Sequence, residues 1–481
     1  MWLFLVAVIV LLLAIIVVRG GEYLALYGRN DIERFGAVVG LFRNFDRLFR
    51  TRFGPIEILG SCHPDVIQQV LSNVDCLEKP FFYRFTGLEN GLLSAKHQLW
   101  KKQRKTLNSS FNLKILYSFI PIFESCCRKM IEDLNELAAA GPTVNIMNCA
   151  SKCTLEMVFG TTIGIDVTNQ SNEKEILGYV ERLFNLVSRR MLTLHLYFDW
   201  VYRFTKDYRE DRKLRTICIE KANELIDEQK KRISSRKDCN RNCCDELGSE
   251  SHYRKPRIFI EQLLEESNEE EEKFSVEEIY HNAYTIILAG NDTSALSVAH
   301  SCLFLAMYPH IQDKVYAELR NVYPCEDSPI TPDNLKQLEY MEMFIKETLR
   351  LCPVVPNIAR QAVNDVWIDG KRVPKGSIFV VSFYALHRRK DIWGPDAYQF
   401  DPENFHPDRT KGRHPYGYLP FSGGPRNCIG WRYAMISIKV MLIYLLRTFK
   451  LSTDLRQTDL RYRFDLTLKL AFEHLVRLER R

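Results

Sequence analysis

Phe421-Ser422-Gly423-Gly424-Pro425-Arg426-Asn427-Cys428-Ile429-Gly430 runs straight into an apolar helical stretch that reaches about Leu446. The pattern predicts a glycine-rich loop feeding a helix. Glycines let a backbone pass close to a flat cofactor and leave amide hydrogens free to point at a sulfur. A thiolate just ahead of a helix N-terminus also lies in a favourable dipole field. A cysteine taken alone reads as a small buried apolar side chain. The loop around Cys428 is what makes it a candidate metal ligand.

That loop resembles the haem-binding signature of the cytochrome P450 family, Phe-x-x-Gly-x-Arg-x-Cys-x-Gly. Phe421, Gly424, Arg426, Cys428 and Gly430 fill every fixed position. The resemblance implies that Cys428 is the axial ligand of haem iron, where a thiolate favours O–O cleavage. It implies that Arg426 binds a haem propionate and that Phe421 packs beside the sulfur. The fold it implies is mainly α with small β-sheets, the cytochrome P450 fold, with an N-terminal transmembrane helix.

Upstream, Val276 to Tyr308 reads as one long apolar helix interrupted by Ala289-Gly290-Asn291-Asp292-Thr293. A threonine there can return its hydroxyl to the carbonyl four residues back and bend the ladder. Taken alone, this is a helix with a polar kink. Beside the cysteine loop it resembles the family's oxygen-activation motif. Thr293 would then hydrogen-bond dioxygen, and Asp292 would help relay protons, as general acid catalysis requires. Many members of the microsomal family-four group carry a glutamate esterified to haem just before this glycine. Here that position is Ala289, so the cofactor expected is haem (heme b, iron protoporphyrin IX) without a covalent link.

Glu347 and Arg350 share a face at i,i+3, and they match the family's buried Glu-x-x-Arg. The family usually completes that network with an arginine in Pro-Glu-Arg-Phe; the segment here is Pro402-Glu403-Asn404-Phe405, and Asn404 carries no guanidinium. Trp100 and Arg104 match Trp-x-x-x-Arg and lie one helical turn apart. By resemblance both bind a propionate, and Arg360 fills the place of another such ligand. The matches extend from about Trp100 to the C-terminus. Their details are most similar to insect members of the family-four group.

Length, composition and charge bound the rest. The chain has 481 residues, is 46% hydrophobic and carries a net charge of +6, too mild to suggest nucleic acid. Its 14 cysteines show no disulfide framework, and a cytosolic domain would keep them as thiols. Cys239, Cys243 and Cys244 cluster without a histidine or second pair, which favours a solvated loop over a zinc site. Met1 to Val18 is uninterrupted apolar sequence, nearly enough to cross a bilayer core. Arg19, Arg29, Arg34, Arg43, Arg47, Arg50 and Arg52 follow it and no basic residue precedes it. The positive-inside rule then puts the remainder in the cytosol. The expected organisation is a transmembrane signal anchor over 1–18, a linker or start of the catalytic domain over 19–49, and a haem-thiolate catalytic domain over 50–481. A strand with a turn is expected near 50–60, helices from about Pro64 to Cys352 with a break from about Arg236 to Lys273, and strands again after Val366.

The resemblance implies a monooxygenase of the endoplasmic reticulum membrane that inserts one atom of O2 into a lipophilic small molecule. The chain has no dinucleotide fingerprint, so NADPH-cytochrome P450 reductase is the implied electron donor, with cytochrome b5 a further carrier. Lys101, Lys102, Lys411 and Arg413 are candidates for a basic docking face. Phe81, Phe82, Phe85, Phe184 and Leu192 are candidate walls of the substrate chamber. Two rivals stay open: an isomerase or dehydratase of lipid peroxides on the same fold, and a non-catalytic, membrane-tethered haem or lipid carrier.

Overall fold

The helical periodicity between Pro64 and Cys352 becomes a stack of helices, and the β-branched stretches either side of it become small sheets. The computed structural model describes residues 30–164, 173–242, 258–267, 274–325, 328–463 and 465–481. The anchor expected over 1–18 therefore lies outside the described residues, among which no helix is long and apolar enough to cross a membrane.

Helix α1 (Asp31–Asn44) opens on a capping box formed by Asn30 and Glu33. Its Phe35 meets the Tyr384 ring edge-on at 5.0 Å, so from Asp31 onward the expected linker is folded onto the core. Strands β1 (Phe49–Phe53) and β2 (Ile56–Ser61) form an antiparallel hairpin. Then come α2 (Pro64–Ser72), α3 (His97–Leu107), α4 (Ile120–Ala140), the short β3 (Val144–Asn145) and α5 (Ile146–Thr162). Helices α6 (Glu173–Leu192), α7 (Lys206–Asn242) and α8 (Phe259–Ser267) lead to the long α9 (Val276–Met307). The helical pattern was expected to break near Arg236, but α7 continues to Asn242. Lysine, arginine and glutamine are good helix formers, so a charged run need not interrupt a helix. Cys239 lies near the end of α7; Cys243 and Cys244 fall outside the described residues.

Helices α10 (Pro309–Val322) and α11 (Glu339–Leu351) precede β4 (Asn357–Gln361), the β5 (Val366–Ile368) and β6 (Lys371–Val373) hairpin, and β7 (Ile378–Ser382). The turn of that hairpin is Asp369-Gly370, both at positive φ. β7 pairs in parallel with β2 and antiparallel with β4, giving a four-stranded sheet ordered β1-β2-β7-β4. The cysteine loop follows, then α12 (Trp431–Thr448), β8 (Phe449–Ser452), the β9 (Tyr462–Arg463) and β10 (Lys469–Leu470) pair, and β11 (Leu475–Arg480), which joins β3 and β8.

The main core lies where α9, α12, α4, α5 and α11 meet. Ile438, Val440, Met441, Leu442, Ile443, Leu445 and Leu446 of α12 are fully buried against Leu296, Val298, Ala299 and Leu303 of α9 and their neighbours. Each such side chain contributes about 1.5–3 kcal/mol of transfer free energy. This core fixes α9 and the start of α12, the two elements that carry the candidate chemistry.

Candidate active site

The cysteine loop is held in a backbone conformation that few residues tolerate. Ser422 has φ +62° and Gly424 has φ +69°. A Cβ at Gly424 would fall 2.0 Å from the Leu71 carbonyl oxygen, so both the dihedral and the close approach to α2 require glycine there. The loop closes on itself: the Cys428 N–H donates to the Phe421 carbonyl at 2.9 Å. The Gly430 N–H donates to the Cys428 sulfur. Burial pushes the Cys428 thiol up, while the Gly430 hydrogen bond and the Arg104 charge oppose that shift. The residue keeps exposed surface. On α9, Ala289 stands open and Thr293 half-open, where Leu288 and Asn291 beside them are buried.

Near the loop lies a group of three cations, with the Glu78 carboxylate the one anion acting on Arg426 among the causes of its shift. The Arg426 Nη2 donates to the Ala95 carbonyl at 2.8 Å, but its Nε and Nη1 are buried without partners. Its guanidinium lies 4.5 Å from the Trp100 ring centroid. Arg360, on β4, is 1% exposed; its Nη1 reaches only the neighbouring Ala359 carbonyl and its Nε has no partner. Lys79 joins them. Its ammonium sits 4.5 Å over the Tyr83 ring, and burial, with the charges of Arg360 and Arg426, holds it well below the usual lysine range. Burial, reinforced by Arg360, brings Arg426 down to about 10. Orphaned buried N–H groups and unbalanced charge are costly. A haem carries two propionates, and this cluster supplies the charge and the free donors to receive them. The residues present therefore fit the cofactor.

Sequence reasoning missed Lys79. The only signal is one lysine inside Leu77-Glu78-Lys79-Pro80-Phe81-Phe82-Tyr83, a stretch otherwise rich in aromatic residues. Arg104 is placed differently from Arg360 and Arg426. Its terminal nitrogens donate to the Asn427 carbonyl and side-chain oxygen, each at 2.7 Å, so it braces the residue just before Cys428. Trp100 is buried under Arg426.

On α9 the expected back-bond is present: the Thr293 hydroxyl donates to the Ala289 carbonyl at 2.6 Å. Ser297 and Ser301 repeat it at 2.8 Å onto Thr293 and Ser297. Gly290 marks a close crossing, since a Cβ there would lie 3.0 Å from Val158 of α5. Asp292 and Thr293 are adjacent in sequence, but the fold sends their side chains to different places. Asp292 accepts from the Thr467 hydroxyl at 2.9 Å and lies 3.6 Å from the Lys469 ammonium.

Glu347 and Arg350 are both fully buried, joined by two hydrogen bonds of 2.7 Å. Arg350 also donates to the carbonyls of His387, Ala397 and Gln399. Glu347 receives the Asp401 N–H at 2.8 Å and the Asn404 amide at 3.2 Å. Asn404 thus enters the network by its amide. Arg413 donates to the Asn404 carbonyl at 2.8 Å and lies 4.0 Å from the Trp393 ring, which also carries Arg350 at 4.8 Å. Arg413 is therefore engaged inside the fold and does not belong to a solvated docking face. Lys101 and Lys411 are exposed, and Lys102 pairs with Glu278 at 3.5 Å. Of the expected chamber walls, Phe81 and Phe85 cluster with Tyr197, their ring centroids 5.7 and 5.2 Å from its ring. Phe184 packs with Leu88 and with Leu288 of α9.

The cytochrome P450 family model matches residues 23–471. The chain belongs to the cytochrome P450 family. Among curated relatives, cytochrome P450 4V2 of Homo sapiens is 32% identical over 437 residues, covering 90% of this chain and 82% of the relative. Cytochrome P450 4c21 of Blattella germanica is 29% identical over 450 residues, covering 93% and 88%. Cytochrome P450 4c3 of Drosophila melanogaster is 30% identical over 455 residues, covering 91% and 83%. This P450 is accordingly an oxidoreductase, a monooxygenase whose cofactor is non-covalently bound heme b, and the expected likeness to insect family-four members is borne out.

Proposed function

We propose that this P450 inserts one oxygen atom into a lipophilic small molecule, with electrons passed from NADPH by a flavoprotein reductase at the endoplasmic reticulum membrane. The observation that carries the reading is the Cys428 sulfur, exposed, bonded by the Gly430 N–H and two residues from Arg426, whose buried Nε and Nη1 have no partner. When bound, the haem supplies dioxygen activation and oxygen-atom transfer. Cys428 would ligate its iron. Arg426, Arg360 and Lys79 would hold its carboxylates, with Trp100 supporting Arg426. Arg104 fixes Asn427 and so sets the loop, and Phe421 packs beside the sulfur. Thr293 would offer its hydroxyl to dioxygen, and Asp292 would relay protons toward it. Glu347 and Arg350 anchor the loops beneath.

Residues 1–18 serve as the membrane anchor and residues 50–481, with the helix from Asp31, form the catalytic domain. The exposed side chains of Phe198, Trp200 and Phe204, at 49%, 68% and 82%, suit a face that rests in lipid. Either the reductase or cytochrome b5 meets the chain on the sulfur side of the haem.

Reconstitution with reductase and a lipid extract tests this. NADPH-dependent and dioxygen-dependent product supports the oxygenase. Conversion of a lipid hydroperoxide without either supports the isomerase, and a ligand-induced spectral shift with no product supports the carrier. Under each of these, Cys428→Ala abolishes the red-shifted carbon monoxide spectrum of the reduced protein; a retained spectrum removes Cys428 as ligand.

A further inference from the structure

The stretch from Lys79 to Leu92 runs from the cation cluster to α9. Lys79 stands at one end, beside Arg360 and Arg426. At the other end the Leu92 N–H donates to the Asn282 side-chain oxygen of α9 at 3.1 Å, and a Cβ at Gly91 would fall 2.1 Å from the Thr285 hydroxyl. Between them lies a 3₁₀ turn, Phe81–Thr86, which ends at Gly87 with φ +71°. The stretch therefore walls one side of the space between the cluster and α9, and Gly87 gives it a joint at which the turn can swing. Arg215 of α7 grips that turn. Its Nη1 donates to the Thr86 carbonyl at 2.5 Å and its Nη2 to the Phe85 carbonyl at 2.8 Å. Its Nε donates to the Asp211 carboxylate, one turn back on α7, at 2.8 Å. Asp211 is 7% exposed; burial pushes its carboxyl up, and the Arg215 charge is the chief opposing influence. The grip is close, since a Cβ at Gly87 would lie 1.7 Å from the Arg215 Nη1. Arg190 of α6 approaches the same turn, its guanidinium 4.1 Å from the Phe85 ring centroid and 3.9 Å from that of Tyr202. Arg190 touches a side chain there, whereas Arg215 binds backbone.

We propose that Arg215 is a positioning residue that bolts the Phe81–Thr86 turn to α7, so that bulky ligands pass this turn into and out of the substrate chamber at a rate set by the opening of its two carbonyl bonds. The proposal rests on the haem-site reading given above. A guanidinium suits the task because its planar fork meets two adjacent carbonyls at once, which an ammonium does not do in one geometry. Asp211 takes the third N–H and so keeps the fork aimed. It also balances the charge when the carbonyls let go, so the open state leaves no bare buried cation. The closed turn is the resting state whether the chamber is empty or filled, so the cost of opening falls equally on entry and exit. The bolt therefore governs how fast ligands exchange and leaves unchanged how tightly they bind.

The test needs no known substrate. An azole nitrogen that binds haem iron shifts the haem absorption, so stopped-flow mixing gives association and dissociation rates. The haem-loaded full chain is mixed with imidazole as the small probe and dodecylimidazole as the bulky one. Arg215→Met should raise both rates for dodecylimidazole about tenfold, the effect of losing charged hydrogen bonds. The dissociation constant should stay within about twofold of wild type, and the imidazole rates should not move. Arg215→Lys should fall between, because an ammonium restores one bond at a time. Asp211→Asn should raise both dodecylimidazole rates about threefold, and it carries the test if Arg215→Met does not load haem. Wild-type rates in the variants overturn the proposal. A change confined to dissociation also overturns it, since Arg215 would then support the bound ligand. Equal acceleration for imidazole and dodecylimidazole overturns it as general loosening. The carbon monoxide spectrum of the unaltered reduced chain separates the two levels. Its absence sinks the haem-thiolate reading and the bolt with it; a normal spectrum with unmoved rates in the variants sinks the bolt alone.

Discussion

Lys79 differs from the other cations of the site in having left no legible spacing. Cys428, Arg426 and Gly424 stand in a fixed order over a few residues, so chemistry and sequence coincide there. Lys79 acquires its role only because β4 brings Arg360, and the cysteine loop brings Arg426, to the same spot. No local pattern reports that. Its consequence can be measured. Without haem, Lys79 is a desolvated cation beside two others, so the unfolded chain binds its proton more tightly than the folded one. Stability of the haem-free protein should therefore rise with pH from the depressed folded value toward about 10.5. Lys79→Met should abolish that rise and stabilise the haem-free protein. The same change should speed haem transfer to an acceptor such as apomyoglobin, because one carboxylate partner is gone. A variant that stabilises the empty protein without loosening haem would remove Lys79 from the cofactor site.

At the level of elements, α11 and the segments beneath it show how a motif becomes a structure. The i,i+3 spacing of Glu347 and Arg350 occurs on many surface helices. Burial cannot be read from that spacing; it comes from the carbonyls of His387, Ala397 and Gln399 closing over the guanidinium. Glu347→Ala would leave Arg350 charged and unpaired in the interior. It should cost about 3–5 kcal/mol, measured as a lowered denaturation midpoint of the haem-free and haem-bound forms alike. Asn404 explains why sequence comparison alone was incomplete here: its amide reaches Glu347, and Arg413 arrives from nine residues further on. The helix α9 was legible in type and extent because its apolar run is long. The partners that Asp292 meets were not, since Thr467 and Lys469 lie far along the chain.

Across the whole molecule, the mainly helical architecture with small sheets followed from periodicity and turn chemistry. The parallel pairing of β2 with β7 did not, because it joins strands more than three hundred residues apart. The C-terminal strands also make the molecule acid-sensitive. Burial, with Lys469 nearby, lowers His474 to about 4, and burial, with His474 nearby, holds His300 well below its ordinary value. Both are neutral when folded and take up protons when unfolded. Stability should therefore fall as pH drops below about 6.5 and continue falling to about 4, by about 3 kcal/mol for His474 alone. Urea midpoints at pH 7 and pH 5 check this, and His474→Gln should flatten the difference.

Trp393 is buried, with guanidinium groups of Arg350 and Arg413 against its ring. Its fluorescence is a built-in gauge of the region beneath the haem. Emission from a dry indole flanked by cations shifts to longer wavelength once water enters, so in the haem-free protein Trp393's share of the light reports when that floor gives way.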